Sequence, residues 1–548
     1  MIRPLALPPS PGLLVLVALA FALPGLVGHD PWKSFDAVGI EIVHQMRVTG
    51  DWLVPRVAGG PWLEDPPLYH WFALALASIT AGVLSFHDAV RLTSGGFVLA
   101  ACAFLYWAAR GLARADEHGA AGTATDDTAA AAAVLLLIGS VGLIVHAHEA
   151  IPDHAALASA SAGFASLVVF SRRPFAAGVA FGAALGLAFL ASGIVAPLGL
   201  YGGALCTWAA CREWRTPRHL GALAVAGLVL VLVAASWPFA LHSRFPEHAR
   251  GWWSIATAEQ DFAANLRYFA GMLSWFTWPA WPLAAWALWS QRRHLGKPRL
   301  FAPLAAFVLT LAAACRFSPA QDVNALVLLP PLALLGAQGV AQLRRGAAAA
   351  LDWFGVMTFS LCGSLIWLGY VAMMAGVPPR IANNFAKLAP GFVAHFSWLP
   401  FVAALALTLA WIYLLARTPR EATRGVLRWA AGVALVWGLF ATLILPWADY
   451  LKSYRSVALQ LRSKLPSGSG CVAGRGLGVP QQAALNYHAG LLTPPAATGA
   501  AGKCRLLLVQ GNPREERDAP GAGWVKLADV GRPGDKSERY RLYQRTVK

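Results

Sequence analysis

Charge is what this sequence has least of. Only 13% of its 548 residues are Asp, Glu, Lys or Arg, and 57% are hydrophobic. Soluble domains carry roughly 25% charged residues, so an ordinary soluble enzyme is excluded. Cysteine is sparse too. Of seven, Cys102, Cys206, Cys211, Cys315 and Cys362 lie in or beside apolar runs, where they read as small hydrophobes. No CxxC-type spacing exists to hold a metal. Acidic residues number 27 against 44 basic ones, a net charge of +17. A nucleic-acid binder would gather that charge on one soluble domain, and no such domain is present. No internal repeat is apparent either.

What the chain does have is apolar windows of about twenty residues each, the length that crosses a bilayer. Mean hydropathy is +0.53. Spans are expected near 11–28, 91–109, 130–147, 155–171, 175–191, 195–211, 219–240, 268–290, 300–316, 324–340, 350–375, 398–416 and 426–446. Between them sit short basic clusters: Arg172 with Arg173; Arg212, Arg215 and Arg218; Arg292 and Arg293 with Lys297 and Arg299; Arg344 with Arg345; and Arg417, Arg420, Arg424 and Arg428. Basic loops mark the cytoplasmic side. All these clusters fall on that side only if the stretch 68–86 does not cross, so it is expected to lie at the outer interface. Thirteen crossings follow, with the amino terminus inside and the carboxyl terminus outside.

The outer face then collects the polar sequence. The stretch 28–71 holds Asp30, Asp36, Glu41, Asp51, Glu64 and Asp65 between two apolar runs. Carboxylates at a membrane boundary are costly to desolvate and are functional suspects. The other outer elements are the first loop as a whole (28–90), a tight turn HAHEAIPDH (146–154), a loop 241–267 whose Trp252 and Trp253 suit a headgroup-level helix, RFSPAQD (316–322), and 378–397. The division is thus a membrane domain over 1–450 and a small α/β domain over 451–548. The latter has strand-like runs at 504–510, 524–530 and 539–545. Cys471 and Cys504 lie in that domain, where an oxidising periplasm would let them pair.

The run GIEIVHQMRVTGDWLVPRVAGGPWLEDPPLYHW resembles the first outer loop of family 39-type glycosyltransferases of the GT-C superfamily. That group includes bacterial aminoarabinose lipid A transferases and, more remotely, protein O-mannosyltransferases. Gly50-Asp51-Trp52, Val54-Pro55 and Glu64-Asp65-Pro66-Pro67-Leu68-Tyr69 stand where the family has GDW, VP and an E-K-P-P-L-Y-type segment. The resemblance covers roughly the first 340 residues. It implies an all-α polytopic membrane protein of GT-C type with outer juxtamembrane helices. It also implies transfer of a sugar from a polyprenyl phosphate to a lipid, glycan or protein acceptor, at the outer face of a bacterial inner membrane. Two departures stand out. The family's acidic pair falls on Phe35 and Asp36, leaving one acid, and the family lysine is replaced by Asp65, which should repel a phosphate.

Single displacement with inversion needs a carboxylate base near the acceptor hydroxyl and cations near the departing phosphate. Asp36 is the first candidate for the base and Asp153 the second carboxylate; each also reads as a helix N-cap. Arg56, Arg244, Arg250, Arg267 and Arg316 are candidates for the donor phosphate, with lipid-headgroup contact as the plain alternative. Glu64, Asp65, Tyr69, His70 and Asp322 are assigned to the substrate cavity, although Glu64 and Asp65 also suit the first turn of the helix that follows. His146, His148, Glu149, Asp153 and His154 could suggest a divalent metal, but their spacing is not an established zinc motif, so no cofactor is assigned. Two other readings stay open: a transporter or flippase of lipid-linked saccharides, and a non-catalytic relative. Transporters show repeats and interrupted helices with midplane polar groups, whereas here the polar residues gather on one face.

Overall fold

The computed structural model describes residues 9–114, 123–419, 421–466, 471–494, 496, 504–512 and 520–546. Among these, eight helices are individually long and apolar enough to cross a bilayer, and shorter apolar helices accompany them. Each of the thirteen expected spans falls on one to three consecutive helical elements. The stretch 68–86 forms only the 12-residue helix Leu68–Ile79. At 1.5 Å per residue that is about 18 Å, short of a hydrocarbon core of about 30 Å.

Two expected spans are interrupted, which hydropathy alone does not reveal. The 130–147 stretch is Thr123–Gly139 followed by Val141–His146, with Ser140 extended between them. The 268–290 stretch is Phe262–Phe276 followed by Ala280–Ser290. Pro279 supplies no N–H and biases the residue before it away from helix, so the second break has a local cause. The breaks meet: Val141 N–H donates to the Trp278 carbonyl at 3.1 Å, and the Ser140 hydroxyl donates to Leu136 O at 2.8 Å. Irregular backbone at membrane depth survives only when its polar groups find such partners.

Small residues set the helix spacing elsewhere. Gly178, Gly182 and Gly186 form one stripe of Pro174–Ser192. A Cβ on Gly178 would meet Ala222 O at 2.3 Å, and one on Gly182 would meet Ala226 O at 2.3 Å. Side-chain-free faces let backbones approach and gain dispersion contacts where no hydrophobic effect acts between helices.

On the face that carries the long loops, helix Phe35–Thr49 is packed on all sides. A Cβ at Gly39 would come 1.8 Å from Ala150 O, so glycine is what seats this helix against the 146–154 turn. The 241–267 loop holds the helix Pro246–Ala256. Its paired tryptophans divide the expected interfacial role. Trp252 is buried against Trp237, ring centroids 5.2 Å apart, and Trp253 is exposed.

The carboxyl-terminal region is a four-stranded sheet in the order Val472–Arg475, Leu506–Gly511, Arg539–Arg545, Trp524–Val530, parallel at the first pair and antiparallel after it. Leu506 and Leu508 face helices Arg455–Ser463 and Val479–Ala489, while Leu507 and Val509 face the opposite side. Both faces are covered, so the strand Leu506–Gly511 begins as a continuous apolar run rather than an alternating one. Cys471 and Cys504 are joined by a disulfide. This region grips the first loop. Lys33 Nζ is 2.8 Å from Glu538 Oε1, Trp32 Nε1 donates to Asp449 Oδ1 at 2.7 Å, and Asp30 accepts from Ser453 Oγ at 2.6 Å.

Candidate active site

Asp36 opens the helix Phe35–Thr49 and is almost wholly buried. Both of its oxygens are occupied. Arg91 Nε approaches Oδ1 at 3.0 Å and Nη2 approaches Oδ2 at 2.7 Å. The Trp32 and Ala150 amides donate to the same carboxylate at 3.1 and 3.0 Å. Burial favours the protonated form, but the Arg91 guanidinium outweighs it and holds the carboxyl below the usual range. A carboxylate with four donors and a depressed pKa is a poor proton acceptor. The geometry gives it a different task, clasping helix, turn and Arg91 together.

The groups that face one another beyond Asp36 come from three separate loops. His146 ends Val141–His146, with Nδ1 2.7 Å from Glu149 Oε2 and Nε2 3.5 Å from Asp322 Oδ2. Burial works against its proton, but the Asp322 and Glu149 carboxylates prevail and raise its pKa to about 9. Asp322 also caps the turn Val323–Leu328 through the Val323 amide at 3.1 Å. The ring of Phe35 stands edge-on to His146, centroids 6.3 Å apart. Asp65, half-buried in the segment before Leu68–Ile79, is pushed up to about 8 by burial, then by Asp153, then by Glu64. Asp153, the first residue of Asp153–Leu167, is thus its electrostatic neighbour. Among the described residues no group of three or more His, Cys, Asp or Glu side chains is arranged to hold a metal ion.

His146 carries a sign-definite consequence. Its folded pKa lies above the ordinary 6.5, so its contribution to stability is complete below that value and is lost as pH rises through about 9. The melting temperature is expected to fall between these limits in the parent protein and to fall less in His146→Gln. Thermal unfolding at constant ionic strength measures both slopes.

The other residues singled out from sequence are distributed unevenly. Arg56 turns back to Asp51, Nη2 to Oδ2 at 3.3 Å. Arg244 and Arg267 are exposed, and Arg250 is exposed and paired with Glu247. Arg316 is half-buried, pairs with Glu259 and lies 5.9 Å from the Phe317 ring centroid. Glu64 is exposed. Tyr69 is not a cavity residue: it is fully buried, with its hydroxyl 2.8 Å from Ser94 Oγ and 3.2 Å from Val90 O, bracing Leu68–Ile79 against Phe86–Arg114. His70 is buried with neither ring nitrogen hydrogen-bonded. Sequence reasoning gave no role to Arg91, although an arginine near the mouth of an apolar span calls for a named partner. Nor did it assign His146 and Glu149 outside a metal set, although their spacing of three at a helix end places them side by side.

An apolar cleft of about 990 Å³ is lined by Val141, at the other end of the short helix that carries His146, and by Trp275 and Trp278. It continues past Pro282 and Trp286 to Arg344 at the opposite face. A second, of about 1020 Å³, lies between helices Pro11–Ala22, Trp398–Arg417 and Arg424–Leu439.

No protein-family model matches the chain. Its curated relatives include an undecaprenyl phosphate-alpha-4-amino-4-deoxy-L-arabinose arabinosyl transferase of Pectobacterium carotovorum subsp. carotovorum (strain PC1). The two are 25% identical over 428 residues, 74% of this chain and 73% of the relative. A protein of the same name from Pseudomonas aeruginosa (strain UCBPP-PA14) is 27% identical over 382 residues, 64% of this chain and 63% of the relative. Among solved structures, ArnT from Cupriavidus metallidurans bound to undecaprenyl phosphate matches with a TM-score of 0.67 at 18% identity. The match covers 97% of both chains.

Proposed function

Because the chain is ArnT-like and has the GT-C fold, we propose that it is a membrane glycosyltransferase. It takes a sugar from a polyprenyl phosphate and passes it to an acceptor at the outer face of a bacterial inner membrane. The observation that carries this reading is that one short helix, Val141–His146, joins two things: a cluster of carboxylates around a charged imidazole at its end, and an apolar cleft lined by its first residue. A polyprenyl-phosphate sugar needs both, a long apolar groove for the tail and a polar chamber for the reacting end.

Asp153 is the base in this scheme, drawing the proton from the acceptor hydroxyl as its oxygen attacks the anomeric carbon. The carrier phosphate leaves from the other side, with inversion. The negative charge that grows on the phosphate is met by protonated His146, and Arg316, from the loop that also carries Asp322, is assigned to the same task. Asp65, where the family has lysine, holds a proton at neutral pH. It therefore donates a hydrogen bond to the phosphate instead of repelling it. This answers the charge conflict raised by the sequence without a substitute cation at that position.

The experiment is a turnover assay of the purified protein in nanodiscs with an undecaprenyl-phosphate-linked sugar and lipid extract as acceptor source, paired with mass spectrometry of envelope lipids and glycans with and without the gene. Release of undecaprenyl phosphate, together with a sugar-bearing product lost on deletion, is expected. Unchanged envelopes and no turnover across pentosyl and hexosyl donors would remove the assignment.

One observation favours a second reading. Phe35 holds the place of the family's first acid, and its ring lies against His146. A relative that binds the carrier lipid without turning it over is compatible with that, and saturable donor binding with no product release would identify it.

A further inference from the structure

Away from the clefts, a polar pocket of about 420 Å³ opens on the loop-bearing face where four elements meet: the end of Phe35–Thr49, the start of Phe86–Arg114, Arg455–Ser463 and Val479–Ala489. Arg47 and Arg455 reach it from two sides, His44 and His488 add imidazoles, and Phe86 and Tyr487 form its walls. The Arg47 guanidinium lies 5.3 Å from the Phe86 ring centroid, and among the described residues no carboxylate pairs with it. Arg455 gives one arm to Asp30 at 2.6 Å. One ring nitrogen, His488 Nε2, is shielded from solvent without a hydrogen-bond partner, and His44 Nδ1 lies 3.3 Å from Glu41 Oε2. Tyr487 is held in place by His87, whose Nδ1 is 2.9 Å from its hydroxyl.

The acidic groups that face this pocket are already committed. Asp30 is taken by Arg455 and Ser453, Glu41 by Asn486 and Gln45 at Oε1 and by His44 at Oε2, and Asp88 lies 3.7 Å from Arg91 and 3.9 Å from His87. What is left is an excess of donors with one uncompensated cation, set between two aromatic faces. A guanidinium fork fits two oxygens of an oxyanion, aromatic faces suit the apolar side of a sugar ring, and the volume is that of a small-ligand site.

We propose that this pocket binds a phosphate-bearing saccharide, with the phosphate on Arg47 and the ring against Phe86 and Tyr487. It requires neither the transfer reaction nor the carrier lipid, and it joins the first loop to the carboxyl-terminal region through a ligand. The chemistry is shared by a free sugar phosphate and by a phosphosugar-type lipid headgroup.

The test uses the full-length protein in nanodiscs of zwitterionic lipid, with equilibrium dialysis of glucosamine 1-phosphate, glucosamine and inorganic phosphate. Glucosamine 1-phosphate is expected to bind better than either fragment. Arg47→Ala should weaken it by about tenfold or more, the loss of one charge-assisted contact, with an unchanged melting temperature because Arg47 is exposed. Tyr487→Phe, which keeps the ring, should bind as the parent does, and Tyr487→Leu more weakly. Discs doped with phosphatidylinositol separate the sources: competition by the doped disc assigns the site to a lipid headgroup, and its absence to a soluble sugar phosphate. Equal affinity for inorganic phosphate would overturn the saccharide, and undiminished binding by Arg47→Ala would overturn the site.

Discussion

Arg91→Leu is expected to lower folding stability by about 3–5 kcal/mol, the usual cost of stranding one half of a buried ion pair, and to reduce the amount of protein recovered from membranes. Arg91 is fully buried and has more partners than Asp36 alone. Its Nη1 donates to His29 O and its Nη2 to Asp30 O, both at 2.8 Å, so removing it also strips two carbonyls of their donors. Asp36→Asn should cost a comparable amount, because it leaves the guanidinium charged and unbalanced in a dry site. The double variant Arg91→Leu with Asp36→Leu should recover part of the loss, since neither charge then remains. Thermal unfolding in detergent, read for all three, checks the pattern. An Asp36→Asn protein that melts like the parent but transfers no sugar would reverse the assignment and restore Asp36 as the base.

Asp153→Asn carries the second large effect. In the proposed mechanism it removes the acceptor of the hydroxyl proton, so turnover should fall about 10²–10⁴-fold, the range for losing a positioned acid or base, with folding little changed. Asp65→Asn is the instructive companion. Because Asp65 titrates near 8, it is protonated at pH 7 and its amide counterpart should work about as well there. Above pH 8 the parent ionises and repels the donor phosphate, whereas Asp65→Asn cannot. The variant's pH–rate profile is therefore expected to extend further into alkali. A profile that superimposes on the parent's would show that Asp65 is remote from the phosphate.

The membrane frame and the strands of the carboxyl-terminal sheet were legible in the sequence because both depend on local patterns. An apolar run of sufficient length needs nowhere else to go, and the three strand-like runs at 504–510, 524–530 and 539–545 lie within two residues of Leu506–Gly511, Trp524–Val530 and Arg539–Arg545. The short strand Val472–Arg475 escaped because four residues carry almost no period. The breaks at Ser140 and Thr277–Pro279 escaped for a different reason: hydropathy is indifferent to whether an apolar run stays helical. They are features of the kind used to argue for transporters, so interrupted helices do not separate the two classes. What still favours the enzyme is the 25% identity to a curated arabinosyl transferase over 74% of this chain and 73% of that relative.

The site itself was half legible. Asp36 stood out as an acid at a boundary, but its partner is 55 residues away and the amide beneath it 114. Nothing local distinguishes a carboxylate that works from one that clasps. Counting back from Asp51 puts Phe35 where the resemblance expects an acid and leaves Asp36 as the one carboxylate of the pair.

The grip of the carboxyl-terminal region on the first loop fixes an order of events during synthesis. Lys33 leaves the ribosome 505 residues ahead of Glu538, and Trp32 waits almost as long for Asp449. Domains settle in the order they emerge: Arg91 and the Ala150 amide can hold this loop early, but its second set of anchors arrives only when translation is nearly over. A nascent chain inserted in the bilayer is thus an unfinished chamber, and a product cut short near residue 450 would stay one.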